Sequence, residues 1–172
     1  MTRAAIEIPI QTERLCLRPP RQNDLVALHR IFSHPDAMRY WSHEAHDTPA
    51  RTQTTLDGMI ASYDATGLEF VIEHQGHVIG KAGLWRLAEV GYILHPDHWG
   101  QGLASEALHA VTVAAWDMHP DINEITAEID PRNTGSVKLL TRLGFEPNGT
   151  ASKTIFVYDE WCDSAYYRLQ RP

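Results

Sequence analysis

The stretch His98-Trp99-Gly100-Gln101-Gly102-Leu103-Ala104-Ser105-Glu106 decides how this chain is read. An apolar run, Val90-Gly91-Tyr92-Ile93-Leu94, precedes it across a His-Pro break, and a long amphipathic pattern follows. Strand, glycine-rich turn and helix in that order offer backbone N–H groups to a phosphate. Lacking a Cβ, Gly100 and Gly102 let the main chain bend sharply and approach a ligand closely. A helix starting near Gly102 aims its orphan N–H groups and its positive dipole end at the same point. The known phosphate loops do not fit. No Gly-Lys-Ser/Thr is present, and Ser105 stands where a dinucleotide fingerprint needs its third glycine. An ordinary strand-to-helix turn is the competing reading.

At 172 residues, 43% of them apolar and 22% charged, the chain suits a single globular domain over 1–172 with a substantial core. No apolar run approaches membrane-spanning length, and Met1-Thr2-Arg3-Ala4-Ala5-Ile6-Glu7 lacks the apolar core of a secretion signal. A cytoplasmic protein with no membrane partner is expected. The net charge of −7 argues against a nucleic-acid partner, which needs a basic face. It mildly favours a cationic substrate such as an amine, although acidity also serves solubility. Cys16 and Cys162 read as packed thiols. The pairs His43/His46, His74/His77 and His95/His98 are each three apart, but no His-Glu-x-x-His helix or cysteine cluster joins them, so no metal is expected.

Arg14–Arg18 alternates and ends at Pro19-Pro20, which suggests an edge strand. Asn23 is placed to cap a helix with apolar positions Leu25, Leu28, Ile31 and Phe32, stopped by Pro35. Thr48-Pro49 reads as cap and first-turn proline of a second helix, closed by Gly67. Leu68, Phe70 and Ile72 alternate, His74-Gln75-Gly76-His77 turns, and strands follow over 78–86 and 88–94. A helix covers 102–118, a strand 122–129, and a short helix runs from Asn133 to Gly144 with Phe145 behind it. Thr154–Tyr158 and Ala165–Leu169 are the last strand candidates. The class is mixed α/β.

These pieces resemble the GNAT superfamily of acetyl-coenzyme A-dependent N-acetyltransferases over nearly the whole chain. The likeness rests on Thr12–Pro19, which is similar to the opening strand of the branch that acetylates ribosomal-protein N-termini. It extends through Glu89–Pro96, Trp99–Ala107, Asn133-Thr134-Gly135-Ser136 and Leu143-Gly144-Phe145. The resemblance implies a mostly antiparallel seven-stranded sheet, splayed between the strands at 88–94 and 122–129 and flanked by about four helices. It implies that acetyl-coenzyme A is the acetyl donor, with pantetheine pairing to main-chain groups near Ile93 and Leu94. The diphosphate would sit on the loop formed by Trp99, Gly100, Gln101, Gly102, Leu103, Ala104 and Ser105, and Asn133 would contact the pantetheine amides. The family motif usually begins with Gln or Arg; Trp99 is frequent in the ribosomal branch. Many members carry a tyrosine acid where this chain has Leu140, and Ser136 takes the place of the branch's serine near the thioester sulfur. Dimers are frequent in the family, so a homodimer is possible.

Acetyl transfer needs a neutral amine, a polarised thioester oxygen and a stabilised or protonated leaving thiolate. A lysine amine, with a pKa of about 10.4, is almost wholly protonated at neutral pH, whereas an α-amine at about 7.7–8.0 is already partly neutral. The resemblance implies a protein or peptide N-terminal α-amine as acceptor, a class for which the absence of an obvious strong base is tolerable, with a small amine or a non-catalytic acyl-coenzyme A-binding module as alternatives. Glu89 is the first candidate base, because alternation puts it on one face with Gly91 and Ile93. Glu128 and Asp130 read as structural carboxylates. Ser136 is the candidate acid, with Tyr167 as an alternative. Lys138 and Arg142, four apart on a helix, either meet the adenosine 3′-phosphate or are simply solvated. Tyr40, Trp41 and Ser42 are candidates for the acceptor pocket.

Overall fold

The computed structural model describes residues 7–172. Met1–Ile6, part of the stretch read for a secretion signal, lie outside the described residues. Among the described residues no helix is long and apolar enough to cross a membrane.

The elements follow in the order β1 (Ile10–Gln11), β2 (Leu15–Arg18), α1 (Leu25–Phe32), α2 (Pro35–Met38), α3 (Pro49–Thr66), β3 (Glu69–His74), β4 (His77–Arg86), β5 (Glu89–Leu94), α4 (Leu103–Met118), β6 (Glu124–Ile129), α5 (Thr134–Arg142), β7 (Glu146–Val157) and β8 (Glu160–Gln170). They build one eight-stranded sheet in the order β1-β2-β3-β4-β5-β6-β8-β7. The strand beyond the expected seven is β1, a two-residue ladder on β2, too short to show an alternation. It makes β2 the second strand in, not the edge. The fifth helix is the single turn α2, which Pro35 begins as well as ending α1.

All pairings are antiparallel except β5 with β6, which run parallel and meet only at Glu89 and Thr126. There the Thr126 N–H donates to the Ala88 carbonyl at 2.7 Å. Beyond this rung the two strands part, and the sheet opens toward Leu94.

Alternation along β3 sorts the core into two layers. Phe70 and Ile72 join the cluster with α4, while Val71 joins Leu28, Phe32, Met38 and Leu56 of α1, α2 and α3 on the other face. The start of α1 is pinned by an ionic fork. The buried Arg18 guanidinium donates to Asp24 at 2.7 and 3.0 Å and to Glu73 at 2.7 Å. Asp24 also accepts the Arg21 N–H at 2.7 Å, so the carboxylate next to the expected cap, Asn23, orders this turn. Thr48 does stand at the start of α3, but its side chain makes no capping bond. Gly67 and Gly144 end α3 and α5 in the left-handed region expected of them, with φ of 71° and 87°. The hairpins β3–β4 and β7–β8 close the two halves of the sheet.

Candidate active site

A cleft of about 600 Å³ lies where β5 and β6 part. Its sides are the chain from Asp36 to Trp41, the end of β5, the loop leading into α4, and the turn and first residues of α5. The His95 N–H donates to the Ile79 carbonyl at 2.9 Å, toward β4, and the Ala88 carbonyl faces β6. Backbone alternation between these points turns the main-chain groups of Tyr92 and Leu94 to the cleft and those of Ile93 to β4. The Leu94 carbonyl accepts the Trp99 indole N–H at 3.0 Å. A ligand running along β5 therefore meets the Tyr92 main chain and the Leu94 N–H, one residue displaced from the expected Ile93–Leu94 pair.

The loop is shaped by two left-handed glycines, Gly100 (φ 71°) and Gly102 (φ 77°), a conformation that strains any side chain with a Cβ. Gly102 is the cap position of α4 and supplies no side-chain acceptor. The first N–H groups of the helix thus have no capping side chain. Arg14 draws the Gln101 carbonyl away from the opening, donating to it at 2.8 Å while its Nε binds Glu106 at 2.7 Å. Burial alone would raise the Glu106 carboxyl. The Thr12 hydroxyl together with the Arg14 backbone N–H and guanidinium outweigh it and hold the group below its ordinary value. Trp99, Gly100, Gly102, Leu103, Ala104 and Ser105 line the cleft, whereas the Gln101 side chain turns back to donate to the Asp97 carbonyl at 3.2 Å.

Across the opening, the Asn133 side chain caps α5 by accepting the Ser136 N–H at 3.1 Å. The cap uses only its carbonyl oxygen and leaves the amide N–H groups unused. Ser136, Lys138 and Arg142 line the same wall, and Leu140 is fully buried in the core. Tyr92, which the sequence reading placed as an ordinary strand residue, reaches the cleft beside Ser136. Burial pushes its phenol up to about 12, and the nearby Ser136 side chain pulls the other way.

The third wall carries Tyr40 and Trp41, both in the cleft lining, while Ser42 is exposed outside it. Trp41 stands edge-on to Phe32, at 5.9 Å between ring centres, and the Lys81 ammonium lies 6.0 Å from the Trp41 ring. Lys81 is itself buried against Glu69 at 2.6 Å. Tyr40 lies between the guanidinium groups of Arg39 and Arg132, 5.3 and 5.9 Å from its ring centre. Arg132 therefore spans from the β6–α5 turn to the α2 side; Asp130 and Glu160 hold it at 2.7 and 2.9 Å. The Tyr158 hydroxyl, at the tip of the β7–β8 hairpin, accepts the Ala45 N–H at 3.0 Å and props this wall.

Glu89 does not line the cleft; its carboxylate is tied to Arg86 at 2.8 Å. Glu128 accepts from Ser164, and Tyr167 is buried on β8 opposite Ala127. Neither is in the cleft. The residues that sequence reasoning missed are Tyr92, Arg39, Arg132 and Asp36. A hydroxyl-bearing ring inside an otherwise apolar strand was the signal available for Tyr92. Among the described residues no group of His, Cys, Asp or Glu is arranged to hold a metal ion, and both cysteines are free thiols.

The family model described as the Acetyltransferase (GNAT) domain matches residues 14–146. A protein named as the uncharacterized N-acetyltransferase p20 of Bacillus licheniformis is 31% identical over 153 residues, which cover 81% of this chain and 83% of that one. The [ribosomal protein uS5]-alanine N-acetyltransferase of Escherichia coli (strain K12) is 27% identical, covering 96% of this chain and 92% of its own. The crystal structure of the microcin C7 self-immunity acetyltransferase MccE, in complex with acetyl-CoA and AMP, shares the fold. Its TM-score is 0.85 at 14% identity, over 97% of this chain and 99% of that one. A domain match over most of the chain, on the split sheet and glycine loop described above, settles the family: this chain belongs to the GNAT acetyltransferases.

Proposed function

We propose that this chain transfers the acetyl group of acetyl-coenzyme A to the α-amine of a protein or peptide N-terminus, by direct attack on the thioester. The cleft suits the donor. Loop N–H groups from Gly102 to Ser105 face a diphosphate, the Tyr92 and Leu94 main chain and the Asn133 amide suit pantetheine, and Lys138 and Arg142 suit a further phosphate. The thioester, when bound, supplies the activated acetyl group. Ser136 stands beside the buried phenol of Tyr92, where a donor to a departing thiolate is needed.

The observation that carries the choice of acceptor is the scarcity of bases. Among the described residues lining the cleft, Asp36 is the one carboxylate and His98, at the start of the glycine loop, the one imidazole, and Glu89 is held by Arg86 outside it. A lysine-like amine needs a strong base at neutral pH, whereas an α-amine at about 7.7–8.0 loses its proton to water. The Arg39 guanidinium beside Tyr40 also opposes a polycation, while Arg132 is neutralised by Asp130 and Glu160. The relative that acts on the alanine of ribosomal protein uS5 points the same way.

Thiol release measured with peptides bearing free N-termini, with free amino acids and with spermidine tests this reading. Turnover is expected with the peptides. Turnover confined to amino acids or spermidine would make the chain a small-amine acetyltransferase. Tight thioester binding without release to any amine would make it a non-catalytic binding module.

A further inference from the structure

Tyr92 projects from β5 into the parted region of the sheet, and its hydroxyl is buried without a hydrogen-bond partner among the described residues. Such orphans are rare in folded proteins, because a hydroxyl stripped of water and left unbonded destabilises the fold. The Ser136 N–H donates to Asn133, and the Ser136 side chain is close enough to act on the phenol's titration without making a hydrogen bond of ordinary length. Burial holds the phenol in its protonated form near neutral pH, so it keeps a proton to donate at the catalytic step. A donor that lacks a partner in the resting protein and finds one as charge develops is worth more in the transition state than before it.

We propose that the Tyr92 hydroxyl is a catalytic residue that donates a hydrogen bond to the thioester sulfur as it leaves, beside Ser136. This rests on the acetyl-transfer reading above. The amine lone pair forms the new C–N bond and the C–S bond breaks with its electron pair going to sulfur. The proton lost by the amine passes to solvent, the thiolate takes one up, and Tyr92 keeps its own proton throughout.

Tyr92→Phe removes one oxygen and little else. Turnover should fall about 100-fold, the size of effect seen when one such donor is lost, with KM for the thioester unchanged. Because an orphan hydroxyl is deleted, Tm should rise by about 2 °C or more. A binding measurement needs no acceptor: the native protein should hold coenzyme A about fivefold tighter than its desulfo analogue, and Tyr92→Phe should lose that preference. Turnover within about twofold of native, or an undiminished preference for the thiol, would overturn the assignment. A fall in Tm would also count against it, since the hydroxyl would then be bonded in the resting fold. If the native protein acetylates no amine, the acetyl-transfer reading fails, and the calorimetric comparison still decides the role of Tyr92.

Discussion

On the reading proposed above, Asn133 serves both its helix and a ligand, and well-chosen substitutions separate the two. The Asn133 carbonyl oxygen caps α5 while its amide faces the opening. Asn133→Ala should cost about 1 kcal/mol of stability, as cap removal does. Asn133→Asp keeps an acceptor at the cap and loses the donors, so Tm should hold while calorimetric affinity for acetyl-coenzyme A drops. Equal affinity in both proteins would leave Asn133 a cap alone. Gly102 sits at φ 77°, where any Cβ is strained by about 1–2 kcal/mol. A bulky substitution such as Gly102→Val should abolish thioester binding while α4 still folds, checked by calorimetry and circular dichroism. Ser136→Ala should slow turnover with little effect on thioester affinity; unchanged turnover would remove the serine from the chemistry.

At the scale of elements, the wall bearing Tyr40 and Trp41 hangs on a buried imidazole. His46 stacks between Phe32 and His43, 5.1 Å from each ring, and its Nδ1 lies 2.8 Å from the Thr52 hydroxyl. Burial, helped by the charges of His43, Arg51 and His29, lowers its pKa from 6.5 to about 4. The unfolded chain therefore binds more protons between those values, so this stabilisation is whole above pH 6.5 and is lost as pH falls toward 4. Tm should fall across that window, and KM for the acceptor should rise before KM for the thioester does. A pH-independent Tm between 7 and 5 would contradict this. Elements with punctuation were legible: Gly67, Gly76 and Gly144 mark their boundaries where expected. The last hairpin was legible only in part: Thr154–Tyr158 and Ala165–Leu169 fall on β7 and β8, but both strands run longer, and the first half of β7 is exposed and shows no apolar alternation. Cleft membership was legible on the loop, where glycines and a helix start signal it. Along β5 it was not, since alternation alone cannot tell a core-facing ring from one beside an opening. Glu89 shows the same limit: alternation put it on a face with Gly91 and Ile93, but it could not show that Arg86, three residues away, captures the carboxylate.

Across the whole molecule, the two portions of the sheet share a single main-chain rung, Glu89 with Thr126. Cohesion between them comes instead from α4, whose Leu103, Ala107 and Val111 lie in one core cluster with Val90 of β5 and Ile125 of β6. Occupying the cleft ties β5, the loop and α5 together, so thioester at a hundred times its Kd should add about 2.7 kcal/mol and raise Tm by roughly 5–10 °C. A thermal shift with acetyl-coenzyme A checks this, and no shift would remove the donor from the cleft. Backbone alternation turns the Leu94 amide into the cleft, past the single rung that joins β5 to β6. Its hydrogen should trade rapidly for deuterium, far faster than that of His95, which is locked to Ile79. On the reading proposed above, a thioester lying along β5 would pair with that amide, and its exchange should then slow, so the protection of one hydrogen reports whether the parted edge is occupied.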